Sequence, residues 1–231
     1  MLKFKEFLKE VFPHNSPFDR KDLGFITNFI KYLSLRIAYI LYRIGITANL
    51  LNIFGLFLTA LGFITIFYSL SEINLIMFLF GYSLIAITIF IDFVDGPLSK
   101  TNKYIYVVGD SMDNLCPDMI LIGGMLILGF ISSNSTFFIL VTMNSIFYLT
   151  YIPVTIDSVK RDKNKWLIIL YRSRYSLFSM RLFCAGIFPS MCILYIINPV
   201  VGVLISKLLI LFYTLMTFVW IKISLNNKSL R

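Results

Sequence analysis

Long apolar runs separated by short polar turns constrain the fold of this chain more than any other feature. Six runs have the length of roughly 20 residues that a helix needs to cross the hydrocarbon core of a bilayer. They lie at about 48–70, 75–98, 105–131, 137–157, 178–197 and 200–221. They do not alternate between apolar and polar residues as the strands of a membrane barrel do. The sequence therefore predicts an all-α, polytopic membrane protein with six transmembrane helices.

The positions of the basic residues predict how these helices are oriented. The chain has a net charge of +9 although only 14% of its residues are charged, against about a quarter in soluble domains. Lys and Arg are absent from three turns, at 71–74, 132–136 and 198–199, and are concentrated in the other loops and the terminal segments. Because basic loops stay cytoplasmic, both termini are predicted on the cytoplasmic side of the inner membrane. The basic residues then face anionic lipids, and no nucleic acid partner is expected.

The segment before the first run predicts a helix that does not cross the membrane. Residues 1–22 are mixed polar and basic and are expected to form a cytoplasmic arm. Residues 23–44 are apolar but contain Lys31, Arg36 and Arg43, which favours an amphipathic helix lying in the interface over a seventh span. The predicted regions are the arm with the interfacial helix (1–47), the six-helix catalytic domain (48–221) and a cytoplasmic tail (222–231).

A cluster of carboxylates marks the candidate functional site. The chain has 12 acidic residues, and one stretch holds Asp92, Asp95, Asp110, Asp113 and Asp118. Carboxylates in or near a bilayer are costly, and like charges repel unless metal ions or protons neutralise them. The first two end the second predicted helix and the others begin the third. Because a short cytoplasmic loop joins these helix ends, we expect the carboxylates to lie together on that side.

The types of residue in this stretch favour a site for divalent cations and phosphate. Asp92 and Asp95 share a helix face, and their hard oxygen ligands suit Mg²⁺ or Mn²⁺. Two cations about 4 Å apart can hold a pyrophosphate for displacement at phosphorus. Gly96 and Gly109 would let a phosphate approach the backbone closely. The single histidine and the absence of a CxxC pair argue against a zinc site and against Ser-His-Asp chemistry.

At these positions the chain resembles the CDP-alcohol phosphotransferase family of integral membrane enzymes. The family pattern is D-x-x-D-G-x-x-A-R, eight residues, then G-x-x-x-D-x-x-x-D. Five positions match in register: Asp92, Asp95, Gly96, Gly109 and Asp113. Residues 46–51 also look like the family's usual entry into its first span. The family architecture is six spans after an interfacial helix, so the resemblance covers most of the chain at low detail and one region closely.

The resemblance implies a reaction and a role for each matching residue. An acceptor alcohol attacks the phosphorus of a CDP-linked alcohol such as CDP-diacylglycerol, and CMP leaves. Asp92, Asp95 and Asp113 would be ligands of two divalent cations, Mg²⁺ or Mn²⁺. Asp118 would be a further ligand and the general base on the incoming hydroxyl.

The resemblance also implies contacts with the substrates and with a second copy. Gly96, Ser99, Lys100 and Gly109 would contact the donor. Relatives with a phosphorylated acceptor bind its phosphate through basic residues near the place of Arg181, for which snorkelling to headgroups is the alternative. Relatives commonly form homodimers. The acceptor stays open among glycerol phosphate, inositol or its phosphate, serine, choline and another lipid.

Three departures from the family pattern bear on activity. Ser99 replaces the alanine, and Lys100 replaces the arginine and lacks its bidentate fork. Pro117 occupies the fourth aspartate position, and Asp118 follows one residue later. On a regular helix Asp113 and Asp118 point about 140° apart, from 3.6 residues per turn.

Several explanations of the shifted aspartate stay open. A wider π-type turn at Pro117 would carry Asp118 round to the usual face. Alternatively the functional face shifts by one residue to Asp110, Asn114 and Asp118. The third possibility is an inactive relative that binds CDP-lipid as a regulatory or scaffold subunit. A cation transporter is a further alternative, although the acids lie at one membrane edge and not near the midplane.

Overall fold

The computed structural model of this chain is helical throughout the residues it describes. These are residues 4–12, 25–101, 106–146 and 186–228, with the backbone alone described at 25–27, 106–118 and 219–228. Within these ranges the chain forms eight helices and no strand. They are α1 (Phe4–Val11), α2 (Phe25–Arg43), α3 (Ala48–Ser71), α4 (Leu75–Thr101), α5 (Tyr106–Ile131), α6 (Ser135–Ile146), α7 (Phe188–Ile197) and α8 (Pro199–Lys228). The all-α prediction is confirmed for this part of the chain.

Within the residues that the structure describes, three helical segments are long and apolar enough to cross a membrane. They are Ala48–Ser71, Leu75–Thr101 and Pro199–Phe218. Shorter apolar segments with described side chains are Met119–Ile131, which is the second half of α5, and the helices Ser135–Ile146 and Phe188–Ile197. These helices are compatible with a membrane protein. The predicted fourth and fifth spans extend outside the described residues, and the basic loop at 158–177 lies wholly outside them. Six spans, the sidedness and an interfacial position for α2 therefore stay predictions.

An asparagine side chain caps each helix that follows one of the three turns without Lys or Arg. The Asn74 Oδ1 atom accepts hydrogen bonds from the backbone amides of Ile76 and Met77, at 3.0 and 3.1 Å. The Asn134 Oδ1 atom accepts one from Thr136 at 2.9 Å, and Asn198 Oδ1 accepts one from Val201 at 3.3 Å. Such bonds occupy amides that have no partner within the first turn of a helix. Each turn thus stabilises its own following helix.

One compact unit of the fold comprises residues 1–63 and 83–117. Its apolar core joins α1, α2, the start of α3 and the end of α4 through Phe7, Val11, Ala38, Ala48, Val94 and Leu98. Phe7 and Val11 lie four residues apart on one face of α1, and both are buried. The arm that was expected to be merely mixed polar and basic therefore contains a short helix packed into this core. Burial of that apolar face stabilises α1, since so short a helix is marginal by itself.

A hydroxyl contact fixes α3 against α4 within the same unit. The Thr88 hydroxyl of α4 lies 3.2 Å from the Gly55 carbonyl of α3 and equally far from the Leu84 carbonyl of its own helix, and it donates to this pair of acceptors. The Thr59 hydroxyl donates to the Gly55 carbonyl at 2.9 Å. Both threonine side chains are buried, so these bonds satisfy polar groups that burial would otherwise leave unpaired. The two antiparallel helices are thereby held in a defined register.

A second unit comprises residues 64–82 and 118–231. Here α7 and α8 approach closely, because a Cβ added at Gly202 would lie 2.5 Å from the Cα of Tyr195. The Asn144 amide of α6 donates a hydrogen bond of 2.9 Å to the Thr214 hydroxyl of α8. Small residues and polar bonds of this kind are what hold helices together in lipid, where no hydrophobic force acts between them.

Candidate functional site

The carboxylates of α4 lie beside the apolar core of the first unit. Asp95 is only 4% exposed, and its neighbours Val94 and Leu98 both belong to the core. Asp92 is half-buried and shares a helix face with Asp95 at a spacing of three residues. Asp92 and Asp95 both take part in interactions within the chain. A buried carboxylate is costly unless it is neutralised or well hydrogen-bonded, so the burial of Asp95 requires such partners.

The donor set fits a hard divalent cation. Two carboxylates on one face supply anionic oxygen ligands of the kind that Mg²⁺ and Mn²⁺ prefer, and a bound cation would offset the cost of burying Asp95. Among the residues whose side chains are described, no group of three His, Cys, Asp or Glu gathers around one point. The side chains of Asp110, Asp113 and Asp118 lie outside that set, so a two-cation site stays a prediction.

The end of α4 differs from the prediction. The second run was expected to end near residue 98, with Ser99 and Lys100 in a loop, but α4 continues to Thr101. Side-chain hydroxyls support this last turn, since Ser99 donates to the Gly96 carbonyl at 2.9 Å and Thr101 to the Leu98 carbonyl at 2.8 Å. The helix also continues across Pro97, which lacks the amide that would bond one turn back. Lys100 is therefore a helical residue with a fixed direction relative to Gly96.

Open space lies beside Gly96. A Cβ built on this residue would meet no atom within 4 Å, so packing of the described residues does not require glycine here. Lys100 follows one turn later on the same face and is exposed. Its ammonium lies 4.9 Å from the centroid of the Phe12 ring. A glycine with free space and a cation one turn away are both compatible with the predicted approach of a phosphate.

Asn52 is a candidate site residue that the sequence reasoning missed. It is 2% exposed on α3, within an otherwise apolar stretch. The contact between Gly55 and Thr88 sets the register of α3 and α4. Asn52 lies three residues before Gly55 along α3, and Asp92 lies four residues after Thr88 along α4. Because the helices are antiparallel, both steps run in the same direction. At 1.5 Å per residue, the positions of Asn52 and Asp92 along the helix pair differ by only about 2 Å. A buried amide thus lies level with Asp92, the first of the two carboxylates.

The second half of the predicted site is described only as backbone. Gly109 and Asp113 lie in α5, which is α-helical from Tyr106 to Ile131. The side-chain directions of Asp113 and Asp118 are outside the described set. Arg181 lies wholly outside the described residues. The roles predicted for these four residues are therefore untested.

The backbone of α5 bears on one explanation offered for Asp118. The helix is α-helical on both sides of Pro117, and the wider turn that would carry Asp118 to the usual face is not present in its described backbone. An α-helical turn at this place is compatible with the shifted register and with loss of activity.

Comparison with known protein families, with curated proteins and with solved structures finds no match to this chain. The family resemblance therefore rests on the sequence alone, chiefly on the spaced residues of α4 and α5.

Proposed function

We propose that this protein is a CDP-alcohol phosphotransferase of phospholipid synthesis. Its donor would be a CDP-linked alcohol, with CDP-diacylglycerol favoured, and its products a phosphodiester and CMP. The observation that carries the proposal is the buried carboxylate of Asp95, on the same face as Asp92 and next to the open space at Gly96. This is the half of the motif whose side chains are described, and it combines a cation-binding donor set with room for a phosphate.

The chain's own residues divide the work of the proposed reaction. Asp92, Asp95 and Asp113 would hold two divalent cations, which supply charge neutralisation for the pyrophosphate when bound. Gly96 and Gly109 leave the backbone open to the donor, and Lys100 supplies a positive charge to a phosphate oxygen, assisted by the small Ser99. The acceptor oxygen forms a bond to phosphorus as the bond to the CMP oxygen breaks, and the acceptor proton passes to a carboxylate, for which Asp118 is the candidate.

A second candidate function is favoured by the backbone at Pro117. The α-helical course of α5 leaves Asp118 on a different face from Asp113 in a regular helix. If that arrangement persists with substrate, the protein binds a CDP-lipid without turning it over and acts as a regulatory or scaffold subunit. Metal-dependent CMP release separates these two functions.

The membrane arrangement belongs to the same proposal. Six spans, cytoplasmic termini and an interfacial α2 would put the carboxylates at the cytoplasmic surface of the inner membrane, where soluble acceptors can enter and the CMP product can leave. Arg181 is proposed to bind an acceptor phosphate near this surface, and a homodimer is the proposed assembly.

The decisive experiment measures CMP release by purified protein in detergent. CDP-diacylglycerol is supplied with Mg²⁺ or Mn²⁺ and a panel of acceptor alcohols. Metal-dependent release with one acceptor supports the enzyme and identifies its substrate. Binding of CDP-diacylglycerol without release from any acceptor supports the inactive relative, and absence of both contradicts the two functions together.

Asp95→Asn tests the residue that carries the proposal. The amide keeps the size of the side chain but loses its charge and its value as a cation ligand. We expect CMP release to fall by at least about 100-fold, beyond the usual effect of a residue that only orients a ligand. Membrane insertion and elution in gel filtration should be unchanged. Glu72→Gln, at an exposed carboxylate in a turn, is the matched control and should keep full activity. Full activity of Asp95→Asn would contradict the proposed mechanism.

A further inference from the structure

The N-terminal helix packs against the same end of α4 that carries the candidate site. Phe7 and Val11 of α1 are buried in one cluster with Val94 and Leu98, the residues on either side of Asp95 and Gly96 along α4. Phe12 continues this helix by one residue, since its amide donates to the Leu8 carbonyl at 2.9 Å. The position of the Phe12 backbone is thus set by the same packing that sets α4.

The Phe12 ring contacts the cation at the end of α4. Its centroid lies 4.9 Å from the Lys100 ammonium, well inside the range in which a ring quadrupole attracts a cation. Lys31 of α2 approaches the same ring at 5.9 Å. An exposed lysine otherwise occupies many rotamers, so the ring restricts where this ammonium is found. Lys100 follows Gly96 by one helical turn on the same face of α4, and a Cβ at that glycine would meet no atom within 4 Å.

We propose that Phe12 is a positioning residue for phosphate recognition by Lys100. The inference rests on the proposed function, in which Lys100 contacts a phosphate of the CDP-alcohol. Lysine lacks the planar fork with which arginine fixes its own geometry on a phosphate. An aromatic face supplied by α1 compensates for that lack by holding the ammonium at the edge of the open space. The arm is thereby part of the binding site although it lies far from the motif in sequence.

Two measurements on Phe12→Leu test the proposal. Leucine keeps an apolar side chain at the end of α1 and removes the ring quadrupole. The first measurement is the rate at which an amine reagent modifies Lys100, followed by mass spectrometry. The second is the dissociation constant for CDP-diacylglycerol in the presence of Mg²⁺. We expect Lys100 to react about two- to five-fold faster and CDP-diacylglycerol to bind about two- to five-fold more weakly, the effect of one exposed cation–π contact.

Two further variants control for damage to α1. Phe12→Tyr keeps the aromatic face and should restore both values. Phe4→Leu removes the ring that lies 4.2 Å from the Arg36 guanidinium, a similar contact of the same helix that does not involve Lys100, and should change neither value.

The outcomes separate this inference from the proposed function. Unchanged Lys100 reactivity in Phe12→Leu overturns the positioning contact, and faster reaction with unchanged CDP-diacylglycerol binding overturns its role in phosphate recognition. Neither result bears on the proposed enzymatic function, because that function is tested by CMP release from the native chain. If the native chain binds the lipid but releases no CMP, the enzyme proposal fails while the binding of Phe12→Leu still decides this inference.

Discussion

Asp95 and Asn52 are polar side chains buried in helices that are otherwise strongly apolar. They are 4% and 2% exposed, and they belong to the same compact unit. Burying a polar group costs free energy unless a partner compensates it, of order 1–3 kcal/mol for a neutral group and more for a charge. Both residues take part in interactions within the chain, as such burial requires. Asn52 lies level with Asp92 of the candidate site, and a role for this amide there is a prediction.

We expect Asn52→Leu to weaken the use of metal without unfolding the protein. An amide level with Asp92 is suited to orient that carboxylate or a water on the cation, and loss of such a partner typically costs 10- to 100-fold in metal affinity or activity, to order of magnitude. The measurement is the Mg²⁺ or Mn²⁺ concentration for half-maximal thermal stabilisation in detergent, together with that for CMP release. Leucine at this position should raise both.

Asn144→Leu is the matched control for Asn52→Leu. It also replaces an asparagine in an apolar helix. The Asn144 amide, however, donates a hydrogen bond to Thr214, and both residues belong to the second unit, away from Asn52 in the first. It should lower the melting temperature, by the loss of a bond worth about 0.6 kcal/mol in membrane helices, and leave the metal dependence unchanged. Equal metal dependence in the two variants would assign Asn52 to packing alone.

The sequence singled out candidate residues on α4 but not the buried asparagine of α3. Asp92, Asp95 and Gly96 stand out because acidic residues in a strict spacing are rare in an apolar chain. Asn52 has no spaced partner along the sequence, and a single asparagine in an apolar run is equally typical of helix packing. Its assignment needed the register between α3 and α4, which the Gly55–Thr88 contact supplies and which the sequence does not contain.

At the level of elements, apolar run length predicted the long helices well. The runs at 48–70, 75–98 and 105–131 correspond to α3, α4 and α5 with their starts within one residue. The polar segments between the runs set these limits, because the composition changes sharply where an apolar stretch ends. The continuation of α4 to Thr101 was missed because the apolar run ends near residue 98, whereas hydroxyl bonds of Ser99 and Thr101 continue the helix beyond it. Helix α1 was missed because its stability comes from burial against α2 and α4 and not from its own eight residues.

Substitution by alanine is expected to affect stability differently at two glycines in long helices. At Gly202 an added Cβ would lie 2.8 Å from the Tyr195 Cβ and closer still to its Cα. Gly202→Ala therefore forces α7 and α8 apart, and we expect it to destabilise the fold by about 1–3 kcal/mol. At Gly96 the space is open, and alanine favours a helix by roughly 0.5–1 kcal/mol over glycine, so Gly96→Ala should not lower stability.

Thermal unfolding in detergent and CDP-diacylglycerol binding distinguish the two glycines. Gly202→Ala should lower the melting temperature and leave the affinity of the folded fraction unchanged. Gly96→Ala should keep the melting temperature and weaken binding, because the methyl group occupies space that the proposed donor phosphate uses. A Gly96→Ala protein that binds as tightly as the native chain would exclude this glycine from the proposed donor site.

For the whole molecule, the distribution of basic residues predicts a definite sidedness. The test uses a chain whose native cysteines are replaced by serine (Cys116, Cys184 and Cys192). We expect Glu72→Cys and Ser133→Cys to react with a membrane-impermeant maleimide in intact cells, because turns without Lys or Arg are predicted outside. Lys100→Cys and Asn226→Cys should react only after permeabilisation. The reverse pattern would invert the orientation, and labelling of Glu72→Cys and Ser133→Cys from opposite sides would exclude six spans.

The asparagine caps after two of the turns have a consequence for how the chain would insert into a membrane. A helix that enters the apolar interior with unpaired amides has a large free-energy cost, because lipid offers no hydrogen bonds. Asn74 and Asn134 occupy amides at the start of α4 and α6 with their own side chains, so these helix ends bring part of their polar compensation with them. In the predicted six-span arrangement, the hairpins that contain these turns would enter the bilayer as pairs of helices, and no basic residue would have to cross it at the turn.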